Sequence, residues 1–406
     1  MLDVDRVLPE DHEIATLVGR VYDPAVGGPS VVAVDGDRLI DLTDIAPTVS
    51  VLLERPDAVS IVRARRTAAT EFTLRELLDN VGAEQRVERA HLLSPIDIQV
   101  VKAAGVTFVR SMVERVIEER AAGDNSRAEE LRRRLADVLE GQLRDVAPGS
   151  EAAAEAKRVL IEEGLWSPYL EVGLGQDAEI FTKAPVLSTV GSGQAIGVLR
   201  ESTWNNPEPE LVYVARSTGE AVGVTLGNDV NLRDIEGRSA LLLGKAKDNN
   251  ASCSIGPFVR LFDDEFTPGD ARELNLELRV EGSDGFLLEG RSSMREISRL
   301  PEELLAQTRG PHHDYPDGFV LMTGTHFAPT EDRDVPGAGF THHVGDVVRI
   351  SSPRLGELAN VVGYSDEVPR WRTGIWELMV GLAERGCLPP GPAEAPPSTG
   401  TSNTRN

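Results

Sequence analysis

Three acidic residues carry the first chemical signal in this chain: Glu208 and Glu210, separated by Pro209, and Asp229 in Leu226-Gly-Asn-Asp-Val-Asn-Leu-Arg-Asp234. Side chains at i and i+2 of an extended segment project from the same face, about 6 to 7 Å apart at ~3.3 Å per residue, so the two glutamates can converge on one ion. Asp229 brings a third oxygen from a second segment. Carboxylates without thiolate or spaced histidines suit Mg²⁺, Mn²⁺ or Ca²⁺ better than zinc, with substrate or water completing the coordination. Isolated E-x-E pairs are usually solvated surface, and 66 Asp and Glu make such pairs common here. The setting sets this one apart. Residues 211–215 behind it and 221–226 ahead of Asp229 are apolar runs of strand length. Carboxylates at the ends of buried strands are costly unless paired or liganded.

Cationic groups follow closely. Arg233 and Glu236 stand at i+4 and i+7 from Asp229, so a helix starting at Asp229 would put all three on one face. Arg233 then lies beside the ion or forms a salt bridge with Asp229, Asp234 or Glu236. Lys245 and Lys247 open a polar segment that runs to Gly256-Pro257. The histidines cluster as His312-His313, His326 and His342-His343, but no spaced pair sits on one element, which favours loop and hydrogen-bonding roles.

The elements that must position these groups read as an α+β protein, mainly β. Residues 14–43 alternate apolar and polar around Gly and Asp-Gly turns, as a small β meander does, and 48–81 are more helical. Together they make a small N-terminal domain, 1–93. A charged stretch at 110–165, with Leu131, Leu135, Val138 and Leu139 at helical spacing and breaks at Gly123 and Gly141, reads as a helical lid. Short strands are expected from 180 to 362, at 186–190, 195–199, 211–215, 223–226, 274–280, 286–290, 319–323 and 347–350, forming a barrel or rolled sheet within a catalytic domain at 94–387. A helix follows at 374–384, and the Pro- and Ser/Thr-rich 388–406 reads as a disordered tail.

Composition narrows the partners. The chain has 406 residues, 40% of them hydrophobic, enough for a large core. Its net charge of -24 argues against nucleic acid and anionic membranes, so an anionic substrate must be captured locally, as a cation can do. No apolar run reaches the length of a membrane span, and the N-terminus lacks the pattern of a signal peptide. Two cysteines, Cys253 and Cys387, cannot make a disulfide framework and fit a reducing cytoplasm; Cys253 reads as a small core residue.

Several blocks resemble the fumarylacetoacetate hydrolase superfamily: Asn206-Pro-Glu-Pro-Glu210, Gly227-Asn-Asp229 with Arg233-Asp234, Lys247 ahead of Gly256-Pro257, and Leu321-Met-Thr-Gly-Thr325 followed by Gly345-Asp-Val-Val348. Ala103-Ala-Gly-Val-Thr-Phe108, Trp204-Asn-Asn-Pro-Glu-Pro-Glu210 and Lys245-Ala-Lys-Asp-Asn-Asn-Ala-Ser-Cys253 are similar, within it, to bacterial 2-keto-3-deoxy-pentonate dehydratases. The resemblance implies a β-roll or barrel catalytic domain with metal ligands Glu208, Glu210 and Asp229. It also implies an active-site lysine at Lys247, a substrate-side arginine at Arg233 and a Gly-Thr loop at Gly324 and Thr325, with Phe108 and Ser111 near the substrate. One departure bears on the chemistry. Hydrolases of the superfamily carry a His, then a Glu three residues later, to activate water; here Ser111 replaces that His while Glu114 is kept.

Serine is no general base for water, whereas dehydration needs no attacking water. The resemblance therefore implies a hydro-lyase that uses Mg²⁺, or Mn²⁺, to enolise a 2-keto acid and eliminate the C4 hydroxyl. Lys247 would be the C3 base, its pKa lowered by burial and a nearby cation, and Glu114 the acid, although the two roles are exchangeable. Lys247 could instead hold the substrate carboxylate as a permanent cation. The resemblance further implies a cytoplasmic homodimer or homotetramer acting on a small molecule. A C–C bond hydrolase of an acylpyruvate or 2,4-diketo acid and a non-catalytic ligand binder remain as alternatives.

Overall fold

The computed structural model describes residues 3–81, 88–122, 124, 126–133, 143, 146–325, 327, 329, 331–335 and 339–388. Strands are numbered in chain order: β1 (Leu17–Asp23), β2 (Gly28–Asp35), β3 (Arg38–Asp41), β4 (Phe72–Thr73), β5 (His91–Leu93), β6 (Val100–Gly105), β7 (Glu179–Ala184), β8 (Ala195–Val198), β9 (Asn205–Asn206), β10 (Pro209–Ala215), β11 (Ala221–Asp229), β12 (Asn231–Leu232), β13 (Cys253–Leu261), β14 (Asn275–Glu281), β15 (Leu287–Ser293), β16 (Phe319–Met322), β17 (Val347–Ser352) and β18 (Gly356–Tyr364).

The largest sheet runs β4-β3-β2-β1-β13-β11-β10-β16-β6-β7, with β5 paired to β1. Its centre is buried on both faces because two cores share it. Along β10, Leu211, Tyr213 and Ala215 enter one core and Val212 and Val214 the other, the period of two that a strand imposes. A pleated strand with both faces covered reads as a continuous apolar run, as 211–215 does. The N-terminal meander extends this sheet, since β1 pairs with β13 at Leu17↔Arg260 and Val18↔Val259. A second sheet, β15-β14-β17-β18-β8, packs into the core that holds Leu211 and Tyr213.

Helices occupy Val49–Glu54, Ala58–Arg65 and Leu74–Leu78 within the helical N-terminal stretch. The lid region holds a helix at Val109–Ala121, whose Met112, Val113, Val116 and Ile117 pack with Tyr169, Leu170, Leu174 and Trp204. A second lid helix spans Glu151–Glu162, capped by Ser150, whose hydroxyl accepts from the Ala153 amide. Leu131 joins the same cluster, whereas Gly123, Leu135, Val138, Leu139 and Gly141 lie outside the described residues, as do 389–406. The helix expected near 374–384 spans Ile375–Glu384. One expected strand is absent: in 186–190 a turn follows Pro185, Leu187 takes φ 63°, and only Val190 bridges to Ser254. Proline ends β7 there, and a leucine in the left-handed region breaks the extended run that its apolar neighbours suggest. No described helix is long and apolar enough to cross a membrane.

Candidate metal centre

Strand register brings the three acids together. In the antiparallel β10–β11 pair, Pro209 faces Asn228 and Glu210 faces Gly227, and the Asp229 amide donates to the Glu208 carbonyl at 3.0 Å. Glu208, Glu210 and Asp229 thus share one end of the hairpin. Each can offer an oxygen such that all three lie within 4.8 Å of one another, and the three residues are 4, 2 and 2% exposed. Asp229 closes a strand rather than opening a helix, which corrects the helical-face expectation: only one turn forms, at Arg233–Glu236, after the short strand β12. Tertiary pairing with β10 and β13 holds residues 221–229 extended, so the i, i+4, i+7 spacing has no helix to act through.

The charges around this trio are unequal. Burial, with the nearby charges of Asp229 and Glu208, pushes the Glu210 carboxyl well above its usual range, even though the Gly324 amide donates to its Oε2 at 2.7 Å. Asp229 is fixed by two ammonium groups, Lys183 Nζ at 2.9 Å from Oδ1 and Lys247 Nζ at 2.9 Å from Oδ2. Burial would raise its pKa, but those two lysines bring it below the usual value. Lys247 Nζ also reaches Glu208 Oε2 at 2.6 Å. Burial alone would depress the Lys247 ammonium; Asp229, Glu208 and Glu236 outweigh it and hold the pKa above normal. Burial by itself therefore does not make Lys247 a base: its ion pairs with Glu208 and Asp229 hold it as an ammonium.

Glu208 is gripped from a second side. Its Oε1 accepts from Arg115 Nη2 at 3.1 Å and from Asn231 Nδ2 at 2.9 Å. Arg115 also bonds Glu118 at 2.8 Å and Glu236 at 2.5 Å, while Arg233 pairs with Glu118 at 3.1 Å. Arg233 thus lies beside an acid of the lid helix, not beside Asp229, and its Nη1 has no hydrogen-bond partner among the described residues. That leaves an N–H free in the cavity wall. Glu114 is closed off. Arg132 donates to both of its oxygens at 2.9 and 2.8 Å, and although burial opposes it, this grip lowers the Glu114 pKa.

Glu179, at the start of β7, is the contrasting acid. Its carboxyl lines the same cavity, and burial, then the charge of Glu236, push its pKa to about 7. Its partner across the sheet is Gly105, where an added Cβ would stand 2.0 Å from Glu179 Oε2, so a side chain there would block the carboxyl. Gly324 is equally constrained: at φ 91° it turns its amide onto Glu210, and a Cβ would meet Thr107 Oγ1 at 2.1 Å. Thr325 and Ser111 line the cavity, Ser111 also donating to the Phe108 carbonyl at 2.8 Å. Phe108 is buried in the core, and it is Phe327 that reaches the cavity.

Sequence spacing did not reveal Lys183, Arg115, Glu118 and Glu179. Lys183 is wholly buried, yet sits among ordinary strand residues; Arg115 and Glu118 form an i, i+3 pair like many on solvated helices. Among the described residues the acidic trio is the sole His/Cys/Asp/Glu cluster with metal-holding geometry. His342 is buried 3.7 Å from Asp346, His343 lies beside Asp334, and His326 falls outside the described residues. Burial, above the charges of Asp229 and Glu210, pushes the Cys253 thiol up to about 12, which suits a core residue and not a nucleophile.

Three buried carboxylates facing two ammonium groups, one acid strained toward neutrality by its neighbours, form a donor set that fits a hard divalent cation. Residues 175–363, which hold all three acids and both lysines, match the family described as fumarylacetoacetate (FAA) hydrolase C-terminal. The chain is similar to a Haloferax volcanii protein named "Probable 2-keto-3-deoxyxylonate dehydratase", 36% identical over 202 residues, covering 50% of this chain and 65% of the relative. It is also similar to the 2-dehydro-3-deoxy-D-arabinonate dehydratase of Saccharolobus solfataricus, 32% identical over 184 residues, covering 45% and 58%. Both matches span less than two thirds of the relative's length. A solved structure, described as 2-keto-3-deoxy-D-arabinonate dehydratase complexed with magnesium and 2,5-dioxopentanoate, shares the fold with a TM-score of 0.57 and 23% identity, over 86% of this chain and 99% of that one.

Proposed function

We propose that this protein is a metal-dependent hydro-lyase that dehydrates a 2-keto-3-deoxy-pentonate, the 2-dehydro-3-deoxy-D-arabinonate class of acid, to 2-oxoglutarate semialdehyde. The observation that carries the proposal is the buried all-oxygen trio Glu208, Glu210 and Asp229, set beside Lys247 in a cavity where Ser111 stands in place of a water-activating His. The names of the two partial relatives support the substrate class. Mg²⁺, or Mn²⁺, held by the trio supplies Lewis acidity toward the oxygens of a 2-keto acid, which acidifies the C3 hydrogens.

The side chains then divide the work. Lys183 pins Asp229 Oδ1, and Arg115 with Asn231 pins Glu208 Oε1, so the oxygens left for a cation are those that Lys247 bonds in this structure, Asp229 Oδ2 and Glu208 Oε2. The free Nη1 of Arg233 and the hydroxyl of Thr325 orient the carboxylate and polyol of the substrate. Lys247, having released one proton to solvent as its ion pairs with Glu208 and Asp229 are replaced, takes the C3 proton as the neutral amine. The C4–O bond breaks as the leaving hydroxyl gains a proton and departs as water. A shift of the double bond to C4–C5 and tautomerisation give the C5 aldehyde, so atoms balance as substrate minus water. For the proton donor the geometry favours Glu179 over Glu114, since Arg132 keeps Glu114 ionised whereas Glu179 holds a proton near neutral pH.

We also propose a cytoplasmic homodimer or homotetramer, which sedimentation velocity will test. The activity is tested by NMR of the reaction with 2-keto-3-deoxy-D-pentonate and its L enantiomer, with and without chelator. Aldehyde formation that stops on chelation is expected. Pyruvate release from an acylpyruvate, with no aldehyde from either pentonate, would replace the lyase by a C–C hydrolase.

A further inference from the structure

The helix Val109–Ala121 is tied to the ion position by one side chain. Arg115, on its inner face, spans three carboxylates from different elements: Glu118 on its own helix, Glu236 on the turn after β12, and Glu208 of the acidic trio. A reciprocal pair, Glu118 with Arg233, crosses the same gap in the opposite sense. All five residues are buried or nearly so, with Arg115 the most exposed at 13% of its side chain. Lys247 and Glu208 Oε2 meet on the other side, so the two oxygens of Glu208 are committed in different directions.

We infer that Arg115 is a positioning residue that aims Glu208 Oε2 at the cation and couples docking of the helix Val109–Ala121 to occupation of the metal centre. The inference rests on the metal-dependent reading above and adds the lid to it. A forked guanidinium can hold Glu208 Oε1 while bonding two further carboxylates, and a group that orients a ligand in this way typically changes metal affinity by about ten- to a hundredfold. Because linkage is reciprocal, if the docked helix strengthens ion binding through Glu208, the ion favours the docked helix by the same factor.

Two effects oppose one another, and their signs separate them. Removing a positive charge beside the trio should, by electrostatics alone, tighten Mg²⁺ binding. Loss of aim should weaken it. Calorimetric titration of the whole protein with Mg²⁺ alone is expected to show Arg115→Met binding about ten- to a hundredfold more weakly than wild type, with Arg115→Lys in between, since an ammonium keeps the charge but not the fork. Hydrogen exchange over 109–121 is expected to slow when Mg²⁺ is added to wild type and to stay unchanged by Mg²⁺ in Arg115→Met. Asn231→Ala, which removes the other donor to Oε1 without touching the helix, is expected to weaken Mg²⁺ binding yet keep the Mg²⁺-dependent protection. Should Arg115→Met fail to fold, Arg115→Lys and Asn231→Ala carry the same comparison. Equal or tighter binding in the Arg115 variants, beside a wild type that binds Mg²⁺, overturns this inference and leaves the proposed function standing. A wild type that binds no Mg²⁺ overturns both.

Discussion

The strand-built floor of the cavity and the lid helix above it solve the burial of charge differently. On the floor, the three carboxylates of Glu208, Glu210 and Asp229 face two ammonium groups, Lys183 and Lys247, and among the described residues Glu210 has no bonded cation, only the Gly324 amide. At the lid helix and the turn facing it, Arg115 bridges Glu118, Glu236 and Glu208, Arg233 meets Glu118, and Arg132 meets Glu114, so each arginine is bonded to at least one carboxylate. A balanced buried network favours one geometry, while an excess of buried carboxylate leaves a place for a cation. On the proposed function, the contrast gives ion affinity to the floor and alignment to the lid. It also separates two similar glutamates: Glu114, saturated by Arg132, stays ionised, and Glu179, without a bonded cation among the described residues, keeps a proton.

Mutations that break the floor should have the largest effect. Asp229→Asn is expected to lower turnover by about a thousandfold or more, equivalent to ~4 kcal/mol, and chelation of wild type should do the same; steady-state kinetics with metal back-titration checks both. Lys183→Met leaves Asp229 Oδ1 without its buried partner and should cost about 3 to 5 kcal/mol of stability, read by urea denaturation at equilibrium. An unchanged midpoint would mean that the charges are not coupled as the floor requires.

Glu179→Gln should lower turnover by about a hundredfold or more, the size of a general acid's contribution. The sign of its pH dependence follows from a folded pKa raised from 4.5 to about 7: the protonated donor is present below that value and is lost as pH rises through it. Activity should fall on the alkaline side near pH 7 in wild type, and that limb should flatten in the variant. If Glu114→Gln, not Glu179→Gln, removes the limb, the roles are reversed. The smallest effect is expected at the helix start, where Ser111→Ala removes the hydrogen bonds that its hydroxyl makes with the Phe108 carbonyl and amide and should cost about 1 kcal/mol in thermal melts with little change in turnover.

The convergence of the three acids was legible in the chain because an extended segment converts sequence spacing directly into direction. The i, i+2 spacing of Glu208 and Glu210 predicts that they point one way, and the apolar run after them announces the buried strand β10, which Glu208 directly precedes. The same logic misled at Asp229, where the spacing to Arg233 and Glu236 suggested a helix and long-range pairing kept the segment extended. It misled also at 186–190, where an apolar run of strand length turns instead of pairing. Lys183, Arg115 and Glu179 gave no local sign, since each derives its role from partners far away in the chain: Asp229, Glu208 and Gly105.

What the amino-acid order determined by itself was the alternation that makes β10 and β11 central strands, the identity of three oxygen donors, and a Ser where a water-activating base would stand. Only the tertiary structure decided which carboxylates keep their protons and which cations they meet. Spacing along one element acts over a few bonds, but the charge state of a buried acid is set by desolvation and by partners that the fold brings within about 3 Å from elements remote in the chain.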